Sequence, residues 1–244
     1  MISYIGGRKT QAGKILSKIN YFNASRFYDM CCGSGQISMA LVKRGFSAKR
    51  ITMVDNGLWG DVWSRIGSGT FDLLKFADIC DQFNTYHSIK DWCEQTRYSK
   101  NAVYHFLILQ ACSFGGRPVI VKNRKFKVYG YRDRIQPNIY RLYGRVKEAV
   151  ELLRGVEGLK SDVLKVSPVE DAVLFFDPPY SPDQPYYQDN TLTIDKIKKK
   201  FNKFYCMYPE QLSDRVVDFS QKSFRAGVTG KRKALRSEYL SYIG

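Results

Sequence analysis

"RFYDMCCGSGQISMALVKRGFSAKRITMVD", residues 26–55, decides the fold. It opens on "RFYDM" (26–30) and closes on "RITMVD" (50–55). Both read as strands, being short and largely apolar. Between them "QISMALVKRG" carries apolar residues at helical spacing and stops at Gly45, the residue type that most easily ends a helix in the left-handed conformation. Strand, helix and strand in that order make a β-α-β unit, so the two strands are expected to lie parallel in one sheet.

Working outward, "AVLFFD" (172–177) is a continuous apolar run, the kind a parallel sheet uses when helices cover both its faces. Upstream, "TQAGKILSKIN" places Ala12, Ile15, Leu16 and Ile19 on one helical face, with Thr10 as the expected N-cap. Between the second and third strands lies a long excursion. It holds a helix around 101–112 ("NAVYHFLILQAC") closed by Gly115-Gly116, then "PVIVKNRKFKVYGYR", which reads as a hairpin turning near Lys122-Asn123, then a helix from about 138 to 154. No internal repeat or low-complexity linker is visible, so the excursion reads as an insertion into one main α/β domain. The 244 residues suffice for one core with a smaller inserted part.

Composition narrows the function classes. At 44% hydrophobic and 25% charged residues the chain is ordinary globular material. It shows no apolar run of about 18 residues and no signal-peptide pattern, so a soluble, intracellular protein with no membrane partner is expected. The six cysteines form no C-x-x-C pair and no cluster with histidine, which points to reduced thiols and no metal. The net charge of +16 suits a nucleic acid or another anionic partner. From Arg117 to Lys147 there are ten basic residues against the single acid Asp133, so nine of the sixteen net positive charges lie there. Phe126, Tyr129, Tyr131, Tyr140 and Tyr143 are interleaved with them. A charge run alone is often only a solvated face; concentration with aromatics favours phosphate contact.

"DMCCGSGQIS" follows a strand and opens a helix, with Gly33 and Gly35 where a ligand would need close approach of the backbone. It lacks the third glycine of the dinucleotide fingerprint and has Asp29 at the strand end. A carboxylate there repels pyrophosphate but pairs with an ammonium group. Asp55 closes the second strand, where an acid binds ribose hydroxyls in doubly wound folds.

The stretch "AVLFFDPPYSPDQPYY" (172–187) adds the decisive motif. "DPPY" directly after an apolar strand is the signature of amino-methylating DNA methyltransferases, and the chain resembles the Dam-type group of adenine-specific enzymes. The resemblance covers "YIGGRK", "DMCCGSG", the insertion and "DPPY" in the group's order. It implies a Rossmann-like class I methyltransferase dependent on S-adenosyl-L-methionine. A catalytic domain would span 1–56 and 156–244, with a target-recognition region at 57–155. It further implies double-stranded DNA as partner, a cytoplasmic setting in a bacterial or phage-infected cell, and a monomer or dimer.

The resemblance also implies site residues. Asp177, Pro178, Pro179 and Tyr180 would be catalytic. A base's exocyclic amine is a poor nucleophile because its lone pair is delocalised. Hydrogen bonds to the Asp177 carboxylate and the Pro178 carbonyl favour a pyramidal nitrogen, the prolines fix that carbonyl, and Tyr180 stacks on a base rotated out of the duplex. Asp29, Cys31, Cys32, Gly33 and Gly35 would hold the cofactor's methionine part, Asp55 its ribose and Asp162 in "LKSDVL" its adenine. Tyr4, Gly6, Gly7, Arg8 and Lys9 match a pattern in which two small residues precede a lysine near the pocket; here Arg8 takes that place and Lys9 follows. DNA contacts fall on Arg117, Lys122, Asn123, Arg124, Lys125, Lys127, Arg132 and Arg134.

After the helix-like "YPEQLSDRVVDFSQKSF" only residues 225–244 remain. These are too few for the usual final strand, helix and hairpin of the seven-stranded methyltransferase sheet that the resemblance implies, so a sheet shortened at its C-terminal side, or completed by a partner chain, is expected. Cytosine amino methylation, an RNA substrate and a catalytically weak DNA-binding relative are the alternatives.

Overall fold

The structure, a computed structural model, describes residues 8, 10–84, 89–96, 99–113, 116–128, 138–179, 192–222 and 235–244. Seven strands form one sheet: β1 (Phe27–Met30), β2 (Ile51–Asp55), β3 (Glu157–Lys160), β4 (Val173–Phe176), β5 (Phe204–Tyr208), β6 (Val216–Asp218) and β7 (Tyr239–Ile243). Their order across the sheet is β3-β2-β1-β4-β5-β7-β6. The pairs from β3 to β5 are parallel, and β7 runs antiparallel to both its neighbours. The β-α-β reading of 26–55 holds, with helix α2 at Gln36–Lys43 and Asp29 in register with Met53 and Phe175.

Both faces of the sheet are covered, which is why its central strands read as unbroken apolar runs. In β4, Phe175 joins one core while Leu174 and Phe176 join the other. The first core gathers α1 (Ala12–Leu16), α3 (Leu58–Gly67), α4 (Leu73–Asn84), α5 (Ile89–Gln95), α6 (Ala102–Cys112) and α7 (Ile139–Leu153). The second is closed by α8 (Ile194–Lys200) through Ile197. The described helices between residues 57 and 155 therefore share a core with the sheet, and α3 lies along β3 and β2. The helix comes so close to β3 that a Cβ on Gly158 would strike the backbone of Trp63 and Ser64.

Four expectations change. Residues 157–160, unassigned by pattern, form edge strand β3; "EGLK" has charged ends and a glycine in place of an apolar run. Thr10 does not cap α1: Gln11 holds that position, without a side-chain cap bond. "YPEQLSDRVVDFSQKSF" contains no helix among its described residues, and the chain passes from β5 to β6 through turns. The sheet is not shortened, because β7 needs only five residues and slots between β5 and β6 by antiparallel pairing.

Within the insertion, α6 is buried on nearly every side, as befits a central helix. The basic hairpin follows as strands Ile120–Lys122 and Lys125–Lys127. It turns at Asn123-Arg124, one residue later than expected, and both have positive φ, 52° and 59°. That is the pattern of the two-residue turn that matches strand twist.

Candidate active site

Parallel strands share one carboxyl end, and β2, β1 and β4 are adjacent, so the acids that tip them come together. Asp55 is the last residue of β2, Asp29 the third of β1, and Asp177 directly follows β4, its N–H reaching the Met30 carbonyl at 3.4 Å. Asp162 reaches the same end from β3: Ser161 N–H donates to the Asp55 carbonyl at 3.1 Å. The exposed Asp162 itself accepts from Leu164 N–H at 2.9 Å, capping a short 3-10 turn.

From β1 the chain enters a tight turn in which Cys31, Gly33 and Gly35 have φ of 62°, 46° and 70°. Left-handed backbone is costly for a residue with a Cβ, so Cys31 is strained where the turn begins. Two side chains hold the turn. Asp55 accepts from Gly33 N–H at 3.0 Å and from Gly57 N–H at 2.8 Å, tying the turn to the start of α3. The Trp63 indole N–H donates to the Gly33 carbonyl at 2.8 Å. A Cβ on Gly35 would lie 2.8 Å from both Met53 Cε and Trp63 Cζ2, so the tight packing requires glycine there.

Asp29 is 2% exposed and faces α2, accepting from Ser38 Oγ at 2.7 Å and Ser38 N–H at 3.3 Å. Burial raises its pKa to about 7; the Ser38 hydroxyl opposes this and the charge of Asp177 adds to it. Asp55 is likewise pushed up by burial, against the pull of the two backbone N–H groups. The Cys31 and Cys32 thiols are held well above their ordinary range by burial and by Asp55, so both stay protonated. Gln36, at the start of α2, is buried, and its Oε1 has no hydrogen-bond partner among the described residues.

Asp177 meets Arg8 side-on. Arg8 Nε donates to Oδ2 at 2.7 Å and Nη2 to Oδ1 at 2.5 Å. The other edge of the guanidinium is also engaged: Nη1 lies 2.9 Å from Glu238 Oε1 and donates to Gln11 Oε1 at 3.0 Å. Arg8 and Glu238 are each 5% exposed. Although burial alone would lower it, the Arg8 pKa is driven up by the two carboxylates. Of the two residues open to the lysine-like place, Arg8 is the one seen beside Asp177; Lys9 lies outside the described residues, as do Tyr4, Gly6, Gly7 and Tyr180. Pro178 is buried and Pro179 half-buried.

The basic hairpin presents Lys122, Asn123, Arg124, Lys125 and Lys127 outward and buries Phe126. The Phe126 ring packs edge-on against His105, which packs edge-on against Trp92. Burial lowers the His105 pKa to about 4, keeping it neutral in this aromatic stack. The half-buried Arg117 begins the segment, and Arg132 and Arg134 lie outside the described residues.

Sequence reasoning missed Ser38, Trp63, Gln11, Gln110 and Glu238. Gln110 lies within an apolar helix, fully buried. Its Nε2 donates to the carbonyls of Gly116 (3.3 Å) and Arg117 (3.0 Å), and its Oε1 accepts from Val119 N–H (3.1 Å). This amide pins the base of the hairpin to α6. Glu238 had a signal, being the only acid from Phe219 to Gly244.

Comparison with protein-family models and with curated proteins gave no match to the chain. Among the described residues no helix is long and apolar enough to cross a membrane, and no group of His, Cys, Asp and Glu is arranged to hold a metal ion.

Proposed function

We propose that the chain is a DNA methyltransferase acting on the exocyclic amine of adenine with S-adenosylmethionine as methyl donor. The observation that carries this reading is the adjacency of the Asp-Pro-Pro segment to the glycine turn, through the Asp177 N–H and the Met30 carbonyl. Seven strands with an antiparallel β7 between β5 and β6 also suit the seven-stranded methyltransferase sheet that the resemblance implies. The residues present fit the cofactor. The acids Asp29, Asp55 and Asp177 suit a cation, the glycine turn allows close approach, and the orphan Gln36 Oε1 suits a donor such as an ammonium group.

When bound, S-adenosylmethionine supplies an electrophilic methyl group on a cationic sulfur. The chain's own residues do the rest. Asp29 and the turn from Cys31 to Gly35 bind the methionine end, Asp55 binds the ribose and Asp162 orients the adenine. Asp177 and the Pro178 carbonyl accept the two hydrogens of the target amine and localise its lone pair, and Tyr180 stacks on the extruded base. Catalysis then rests on orientation. The exposed cations Lys122, Arg124, Lys125 and Lys127 and the turn residue Asn123, with Arg117, Arg132 and Arg134, meet DNA.

A second reading, a DNA-binding relative that transfers no methyl group, is favoured by one observation: both oxygens of Asp177 already accept from Arg8. One experiment separates the two. The purified protein is incubated with labelled S-adenosylmethionine and unmethylated DNA, and the digested nucleosides are identified. Labelled N6-methyladenine is expected; label on cytosine moves the specificity, and no label in any base removes the enzymatic reading.

A further inference from the structure

Arg8 ought to hinder the chemistry just proposed, since a guanidinium covering a carboxylate side-on competes with an incoming amine for its lone pairs. What sits behind Arg8 changes this. Glu238 lies 2.9 Å from Nη1, on the guanidinium edge opposite Asp177, and Gln11 spans the two, accepting from Arg8 at 3.0 Å and donating to Glu238 Oε2 at 3.4 Å. Glu238 is itself fixed by its backbone: its N–H donates to Ser220 Oγ at 3.2 Å and its carbonyl accepts from Phe219 N–H at 2.7 Å. Arg8 and Glu238 are almost wholly out of water and Asp177 is partly so, and the one guanidinium is shared between the two carboxylates.

We propose that Glu238 is a positioning residue for methyl transfer. Resting on the reading above, it holds Arg8 from behind and shares its charge. Asp177 then keeps one orientation and enough negative charge to accept the amine. A buried ion pair kept only for stability would need no second carboxylate, because an additional buried charge carries its own desolvation cost.

The test compares wild type with Glu238→Gln, which keeps the shape and loses the charge, and with Glu238→Asp, which keeps the charge. Steady-state methylation of unmethylated DNA gives kcat and KM, calorimetry gives cofactor affinity, and NMR follows solvent exchange of the Arg8 Nε–H. Glu238→Gln is expected to lower kcat at least tenfold with KM for DNA and cofactor affinity within twofold, and to speed Arg8 exchange; Glu238→Asp recovers part of kcat. If Glu238→Gln does not fold, Glu238→Asp alone decides, with a severalfold loss of kcat expected because its carboxylate is drawn back by one methylene. Transfer by wild type that the folded variant leaves within twofold, or unchanged Arg8 exchange, overturns this inference alone. A wild-type protein that transfers no methyl group overturns the enzymatic reading and this inference together.

Discussion

At Asp29 the fold raises the proton affinity of a carboxyl whose proposed role requires it ionised. Burial lifts the pKa from 3.8 to about 7, with the Ser38 hydroxyl opposing and Asp177 adding. Because the folded value lies above the unfolded one, the group's contribution to stability is full below about pH 4 and is lost as pH rises through about 7. A tenfold difference in proton affinity is worth about 1.4 kcal/mol, so the loss is visible in thermal melts. Asp29→Asn should flatten stability against pH over that window. It should also weaken S-adenosylmethionine binding, and abolish the rise in affinity expected of wild type as pH passes through about 7. Unchanged cofactor affinity in the variant would remove the basis for reading the glycine turn as the pocket. Asp177→Ala tests the neighbouring acid. It should fold, because Arg8 retains Glu238 as partner, and it should bind cofactor, yet lose far more than tenfold in methyl transfer, a change of about 1.4 kcal/mol in barrier per factor of ten. Activity within tenfold of wild type would count against the assigned chemistry.

Among the elements, the hairpin depends most on one hidden residue. Gln110→Leu keeps the bulk but strips that amide from the Gly116 carbonyl and the Val119 N–H at the hairpin base, while the Arg117 carbonyl keeps the Ser113 hydroxyl as donor. An unsatisfied buried group costs roughly 1–3 kcal/mol, so a stability loss of a few kcal/mol is expected in denaturant titrations. DNA affinity should fall and cofactor affinity hold; equal loss of both would mean that the insertion and the pocket are not separable. The turn offers the opposite substitution. Arg124 holds φ 59° without being glycine, a strain of about 1–2 kcal/mol, so Arg124→Gly should stabilise the hairpin while weakening DNA binding in a sequence-dependent way. Arg145→Ala on α7 should give a smaller, uniform loss. Binding of both variants to several duplexes decides this, and identical profiles would place base reading elsewhere.

For the whole molecule, legibility followed how locally each feature is encoded. The β-α-β unit and β4 could be read because strands buried on both faces must be apolar along their length. Asp29, Asp55 and Asp177 could be read because each tips such a strand. β3 could not, since its partner α3 comes too close to leave room for side chains at Gly158. Nor could β6 and β7, because counting residues for a crossover helix fails where an antiparallel strand fills the gap. Glu238 stood out only as a lone acid between Phe219 and Gly244; its meeting with Arg8 joins positions near the two ends of the sequence, which no local pattern encodes. Charge is the property that acts at this largest scale. With +16 overall and nine of those charges between Arg117 and Lys147, the proposed DNA affinity should fall steeply with salt through release of condensed counterions. Phe126 anchors the hairpin inward while Lys122, Arg124, Lys125 and Lys127 face solvent, so these four can be replaced by glutamine without disturbing that anchor. Neutralising a cation that meets phosphate should shallow the slope of log K against log salt by about 0.9. If all four meet phosphate, the slope falls by about 3.6; if Arg124 reads a base, the fall is smaller and the loss depends on sequence. An unchanged slope with unchanged affinity would make this charge an ordinary solvated surface, and the DNA-facing region would then have to lie outside the hairpin.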